Sequence, residues 1–323
     1  MIISQTPLRI SFVGGGTDFK DFYSRYPGRV LSASIDKYIY LGVNSKFDGH
    51  IRISYSKTEN VDDRDQIQHT IVKAALAKTG IERGIEIVSV GDIPAKGTGL
   101  GSSSSFTVGL LRALYSYLGQ DVSSGDLAKE ACQIEIDKLN SPIGKQDHYA
   151  AVFGGFNIIN FNSNEDVKVE KINLSENIRK EFQDHLLAFF TGRERLANGI
   201  LSEQKNNIDK NFEFLKEMSD MVPVFKNALE KGDFKETGAI LHKSWLIKKE
   251  LASKISDQEI DQMYERALES GAFGGKILGA GGGGFLLLIA PPENHIKIKN
   301  GLCRYRPVSF RFTDFGSRIV FKG

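Results

Sequence analysis

Short apolar stretches separated by turn residues fill the first part of the chain. Residues 8–13, 30–35, 38–43 and 51–55 are rich in β-branched and aromatic side chains, which predicts strands. Helical periodicity follows at 65–78, and a further strand is expected at 85–90. A helix over 103–118 would bury Phe106, Val108, Leu110, Leu111 and Leu114. Ser123 followed by Asp126 forms a capping box for a helix that runs to about Leu139, where Asn140, Ser141 and Pro142 stop it. After a strand at 156–161, the polar stretch 162–166 is the candidate boundary, dividing the chain into domains 1–165 and 166–323. The second half predicts long helices at 194–218, 222–231, 234–253 and 257–269, then strands at 276–278, 285–289, 308–312 and 318–321.

Composition changes this picture in one respect. Of 323 residues, 33 are glycine, about 10% against a usual ~7%. Fourteen of them fall into three clusters: Gly14 to Gly16; Gly97, Gly99 and Gly101; and eight between Gly271 and Gly284. Clusters flanked by strong strand and helix patterns imply backbone that turns tightly or approaches a ligand closely.

Charge is nearly balanced, with 42 Lys and Arg against 40 Asp and Glu, so no broad field draws in nucleic acid or an anionic membrane. Cys132 and Cys303 match neither a disulfide scaffold nor a zinc-ligand spacing. With no apolar run of membrane-spanning length and no export signal at the N-terminus, the expected location is the cytoplasm.

The segment PAKGTGLGSSSSF (94–106) joins a predicted strand to a predicted helix. Such a loop exposes backbone N–H groups at a helix N-terminus, a geometry that binds phosphate, and serine hydroxyls add donors and potential Mg²⁺ ligands. A flexible Gly/Ser loop with a good N-cap is the alternative. The Walker signature and the H-R-D motif of protein kinases are absent, so the D-F-G at 314–316 stands without its catalytic-loop partner. Gly279, Gly281 and Gly284 satisfy G-x-G-x-x-G but precede an apolar strand instead of opening a helix. On the helix from Asp126, Glu135 shares an apolar stripe with Ala128, Cys132 and Leu139, where a carboxylate needs a metal or a buried Arg or Lys. Asp137 faces solvent on the same helix. Asp147, near a helix start, reads as an N-cap when taken alone. His148 joins no triad. Arg193 and Arg195, beside Gly192, form a small basic cluster that either meets phosphate or makes surface pairs.

Together, PLRISFVGGGTDF (7–19), PAKGTGLGSSSSF (94–106) and KILGAGGGGFLL (276–287) resemble the three ordered motifs of the GHMP kinases. The spacing of Glu135, Pro142 and Asp147 resembles the sugar-kinase branch, and GGGTD, IDKY and PIGKQDHYAAVFGG resemble the D-glycero-D-manno-heptose 7-phosphate kinases within it. L-fucokinase-like proteins share the architecture.

The resemblance implies an α+β, two-domain fold: an N-terminal ATP-binding domain like domain 2 of ribosomal protein S5, a ferredoxin-like C-terminal domain, and the active site between them. It implies transfer of the γ-phosphoryl group of ATP to the anomeric hydroxyl of a heptose 7-phosphate. Gly97, Gly99, Leu100, Gly101, Ser102, Ser103, Ser104 and Ser105 would wrap the nucleotide, and Ser103 and Glu135 would hold Mg²⁺. Asp147 would accept or orient the sugar hydroxyl, and Arg9 would steady developing charge. Gly15, Gly16, Thr17, Asp18, Gly281 and Gly282 would meet the sugar, with Lys145, Arg193 and Arg195 as phosphate candidates. GGGTD lacks the acidic residue and histidine found before TD in galactokinase, which argues against galactose. The implied partners are ATP and a small sugar phosphate, without nucleic acid or membrane; monomer and homodimer both stay open.

Overall fold

The computed structural model describes residues 1–93, 97–193 and 197–323. The strands of the first half are β1 (Ile2–Val13), β2 (Gly28–Ser45), β3 (Ile51–Ser54), β4 (Thr58–Val61), β5 (Ile85–Gly91), β6 (Phe156–Phe161) and β7 (Val167–Lys171). Between them lie helices α1 (Lys20–Tyr23), α2 (Thr70–Thr79), α3 (Ser102–Tyr117), α4 (Ser124–Cys132) and α5 (Gln146–Phe153). The second half adds α6 (Glu176–Asp184), β8 (Leu186–Phe190), α7 (Ala197–Asn206), α8 (Phe212–Glu230), α9 (Phe234–Lys249), α10 (Gln258–Glu269), β9 (Gly274–Ile277), β10 (Phe285–Ile289), α11 (His295–Gly301), β11 (Arg306–Pro307) and β12 (Arg318–Lys322). No helix among the described residues is long and apolar enough to cross a membrane.

Two sheets organise these elements. The first runs β12-β1-β2-β5-β3-β4, with β6 on β2 and β7 on β6, and all its pairings are antiparallel except β3 with β5. The second is antiparallel in the order β11-β8-β10-β9. From Thr6 onward every residue of β1 is buried, because α3, α5, α8 and α9 all pack against the strand. A central strand enclosed in this way can hold a charged side chain only if a partner is supplied, and Arg9 lies on it.

Several expected elements differ. The strands expected at 30–35 and 38–43 form the single strand β2: the pairing of β1 with β2 is irregular at Pro7/Leu8, which leaves Asp36 and Lys37 as a bulge instead of a turn. α8 continues through Pro223, where the loss of one backbone donor is offset by burial of Met218, Met221, Val222 and Phe225 around it. The stretch at 308–312 contributes one bridge, Phe312 with Ile35, and the regular pairing lies earlier, at β11. The polar stretch 162–166 is the turn between β6 and β7, so β7 stays with the first sheet, and β12 returns to pair with β1.

Two contacts fasten the sheets to each other. Lys276 on β9 donates to the carbonyls of Ser11 and Phe12 on β1, each at 3.0 Å. Gly99 and Gly279, in glycine clusters far apart in sequence, lie back to back at φ +76 and +69. A Cβ on Gly99 would stand 2.3 Å from the Leu278 carbonyl oxygen, and one on Gly279 would stand 2.4 Å from the Gly99 Cα. Gly99→Ala is therefore expected to lower the unfolding temperature and the activity together. The left-handed backbone alone costs about 1–2 kcal/mol, and overlap adds to it; thermal unfolding beside an activity assay checks this.

Candidate active site

A cleft of about 470 Å³ opens where the start of α3, the loop after β1, the start of α5 and α9 converge. Gly101 adopts φ +78 as the N-cap of α3, and no side chain caps that helix. The Ser105 amide closes the first helical turn onto the Gly101 carbonyl, and the amides of Ser102, Ser103 and Ser104 have no backbone partner among the described residues, which leaves them for a ligand at the positive end of the helix. Gly97, Gly99, Gly101 and these three serines line the cleft.

Opposite this helix end, Arg9 and Asp147 form a bidentate pair, Nε to Oδ1 and Nη2 to Oδ2, both at 2.7 Å. The remaining guanidinium donor, Nη1, reaches the Gly99 carbonyl at 2.7 Å and ties the pair to the glycine loop. Asp147 lies in the first turn of α5 but caps nothing; its carboxylate is spent on Arg9 and faces the cleft. Gly101 accommodates both partners, since a Cβ there would lie 3.3 Å from Asp147 Oδ2 and 3.4 Å from the Arg9 guanidinium carbon.

Asp18 lines the same cleft. It accepts from the amides of Gly16 and Gln146 and from the Gln146 side chain. Burial, with the nearby Asp147 charge adding, pushes its carboxyl above the ordinary range, and the backbone amides of Gln146, Asp18 and Gly16 oppose the shift. Gly144 is required beside it, because a Cβ there would lie 2.0 Å from Asp18 Oδ2.

Glu135 lies in a π-helical segment, Gln133–Lys138, that continues α4 and is buried as its apolar stripe predicts. Its partner is neither Arg nor Lys but His148, whose Nε2 lies 3.0 Å from Oε1. Thr107 donates to that same oxygen at 2.8 Å, and the Ser103 hydroxyl donates to Oε2. Burial alone would raise the Glu135 carboxyl, yet His148, Ser103 and Thr107 together bring it below the ordinary carboxylate value. Burial likewise works against a charged His148, but the neighbouring Cys132 sulfur and Glu135 outweigh it and hold the imidazole well above its usual value. The result is a carboxylate and an imidazolium buried side by side. Ser103 Oγ and Glu135 Oε2 are two hard oxygen donors at the cleft wall, a set that fits Mg²⁺. No group of three or more His, Cys, Asp and Glu side chains able to hold a metal occurs among the described residues, so such an ion would take its other ligands from phosphate and water.

Of the residues expected at the site, Gly15, Gly16 and Gly281 also line the cleft. Others are turned elsewhere. Leu100 is buried in the core and gives its carbonyl to the Arg9 amide, and Ser105 donates to the Pro7 carbonyl. Thr17 bridges Gly14 and Arg29 through their backbone. Lys145 pairs with Glu165 and covers the Tyr23 ring. Arg193 is held by Asp257 and Glu259, and Gly282 donates to the Ile255 carbonyl. None of these six lines the cleft. Arg195 lies outside the described residues.

The cleft also contains residues the motifs did not supply. Gln146 bridges Asp18 and Ser11, and Gln204 and Lys248 approach from α7 and α9. Lys248 carried a legible signal, since it falls on the buried stripe of Thr237, Leu241, Ser244 and Trp245.

Comparison with known proteins agrees with this geometry. The GHMP kinases N terminal domain model matches residues 67–155, and the GHMP kinases C terminal model matches residues 225–307. The D-glycero-alpha-D-manno-heptose 7-phosphate kinase of Campylobacter jejuni is 33% identical over 98% of this chain and 97% of its own length. The bifunctional fucokinase/GDP-fucose pyrophosphorylase of Arabidopsis thaliana is 24% identical over 91% of this chain and 30% of its own length. The crystal structure of a D-glycero-D-manno-heptose 1-phosphate kinase from Bacteroides thetaiotaomicron matches with a TM-score of 0.83 and 25% identity, and each chain is covered in full. Sequence motifs, two-sheet fold and cleft converge on one assignment: the chain belongs to the GHMP kinases and, with its sugar-kinase relatives, is an ATP-dependent phosphotransferase acting on a hydroxyl group.

Proposed function

We propose that this kinase phosphorylates the anomeric hydroxyl of D-glycero-D-manno-heptose 7-phosphate, giving the 1,7-bisphosphate. The observation that carries the reading is the Arg9–Asp147 pair facing the uncapped start of α3 across one cleft. The amides of Ser102 to Ser104 receive the nucleotide phosphates, so the γ-phosphoryl group lies between them and Asp147. Asp147 orients the sugar hydroxyl and takes its proton as the new oxygen–phosphorus bond forms and the bond to ADP breaks. Arg9 fixes the carboxylate through two hydrogen bonds and contributes positive charge next to the reacting oxygens. Asp18, held by three donors, is available to sugar hydroxyls. Ser103 and Glu135 would hold Mg²⁺, which when bound neutralises charge on the phosphates. The heptose 7-phosphate assignment is supported by the Campylobacter jejuni relative and by the GGGTD departure from galactokinase.

Coupled ADP release with Mg-ATP tests the proposal over heptose 7-phosphate, heptose 1-phosphate, mannose, L-fucose and galactose, with ³¹P NMR of the product. The expected result is the highest kcat/KM with heptose 7-phosphate and a new anomeric phosphate. Preference for L-fucose would favour the fucokinase reading that the Arabidopsis likeness supports. Nucleotide binding without turnover of any sugar would point to a non-catalytic binder.

A further inference from the structure

Helix α9 delivers a lysine into the cleft from the second half of the chain. Lys248 is 4% exposed, yet it lines the cleft. Its ammonium donates to the carbonyl of Gly279, and no carboxylate pairs with it among the described residues. Arg9 is held in a corresponding way by the carbonyl of Gly99, and Gly99 and Gly279 lie back to back. The two cations are thus tied to touching loops, one from each side of the junction.

The charged groups around Lys248 are Arg9 on β1, Asp18 after β1, Asp147 on α5 and Lys276 on β9. Arg9 already has a carboxylate partner in Asp147. Lys276 has its two β1 carbonyls and does not line the cleft. Among these cations only Lys248 faces the cleft without a carboxylate, an unfavourable arrangement until an anion arrives.

We infer that Lys248 is a catalytic residue that contacts the γ-phosphoryl oxygens of the bound nucleotide, across the junction from the amides of Ser102 to Ser104. The inference rests on the kinase reading and adds a cation that the three glycine motifs do not contain. Burial, with Arg9 adding to it, brings the Lys248 ammonium down to about 8, while Asp18 and Asp147 work the other way. An ammonium poised there loses its charge at the alkaline end of an assay, whereas an arginine would not.

The test compares wild type with Lys248→Met, Lys248→Gln and Lys248→Arg. Lys248→Met and Lys248→Gln are expected to lower kcat about 100-fold or more. Their Kd for Mg-AMPPNP should weaken about 10-fold, with Mg-ADP unchanged, because only the γ-phosphate analogue reaches the ammonium. Lys248→Arg should recover part of kcat and should lose the decline of kcat/KM for Mg-ATP expected of wild type as pH rises through about 8. The unfolding temperature of Lys248→Met should not fall, since a buried charge is removed; Lys248→Gln serves in its place if the methionine variant fails to fold. A kcat within threefold of wild type, or equal effects on AMPPNP and ADP, would overturn the inference. A raised KM for the sugar phosphate alone would move Lys248 to the acceptor and overturn it equally. If wild type turns over no sugar, the kinase reading fails, while the AMPPNP and ADP contrast still reads the contact.

Discussion

Asp147→Asn is expected to lower kcat by about 10³-fold while leaving the affinity for ATP within about a factor of two. The carboxylate is tied to the glycine loop only through Arg9 and supplies no donor to the phosphates, so nucleotide binding is expected to depend on it little. Its two oxygens instead lie 2.7 Å from the Arg9 donors and face the cleft, where an acceptor hydroxyl would be held. An asparagine has the same shape but one oxygen fewer, cannot take a proton, and turns an amide donor towards a guanidinium that needs an acceptor. Arg9 is left buried with an unmet donor, which costs about 1–3 kcal/mol, so the unfolding temperature should be recorded with the rates. Steady-state kinetics and calorimetric titration of Mg-ATP separate the two effects. An unchanged kcat would sink the assignment of Asp147.

The largest effect on stability is expected at His148. His148→Ala removes one member of a fully buried charge pair and strands the Glu135 carboxylate, a loss of about 3–5 kcal/mol in denaturant unfolding. Its pH dependence has a definite sign. The imidazole is raised above its ordinary 6.5, so its contribution is complete below 6.5 and is lost as pH climbs through the raised value. The carboxyl is lowered from 4.5, so its contribution is complete above 4.5 and is lost as pH falls through the lowered value. The stability gap between wild type and variant should therefore be widest between 4.5 and 6.5 and narrow on both sides. Glu135→Gln separates structure from chemistry at the same place: it should raise the Mg²⁺ concentration needed for half-maximal velocity, and a change in stability alone would reduce Glu135 to a packing role.

Much of the site was legible because its residues break local rules. Glycines at positive φ had to cluster where backbone meets backbone, and a carboxylate at 135 on an apolar stripe had to have a partner. The identity of that partner was not legible. His148 follows thirteen residues later on a different helix, and only tertiary packing brings its Nε2 to Glu135. Lys248 could have been found by the stripe argument applied to the helix at 234–253. Lys145 and Arg193 looked like phosphate ligands because a basic residue near a glycine or an aspartate reads alike whether it faces substrate or an acidic neighbour. In the structure they pair with Glu165, Asp257 and Glu259, which reach them only through tertiary packing. The merging of two expected strands into β2 has a similar origin, since a bulge opposite Pro7 and Leu8 is a property of the pairing and not of Asp36 and Lys37 alone.

The back-to-back seating of Gly99 and Gly279 also sets a constraint on how this chain can diverge. Most packed pairs tolerate drift because a larger side chain on one partner is matched by a smaller one on the other. Here neither partner has a side chain to shrink, so no exchange at one position can compensate a gain at the other. The two loops, 180 positions apart, are thereby bound into one heritable unit, open to change only by a concerted shift of both backbones.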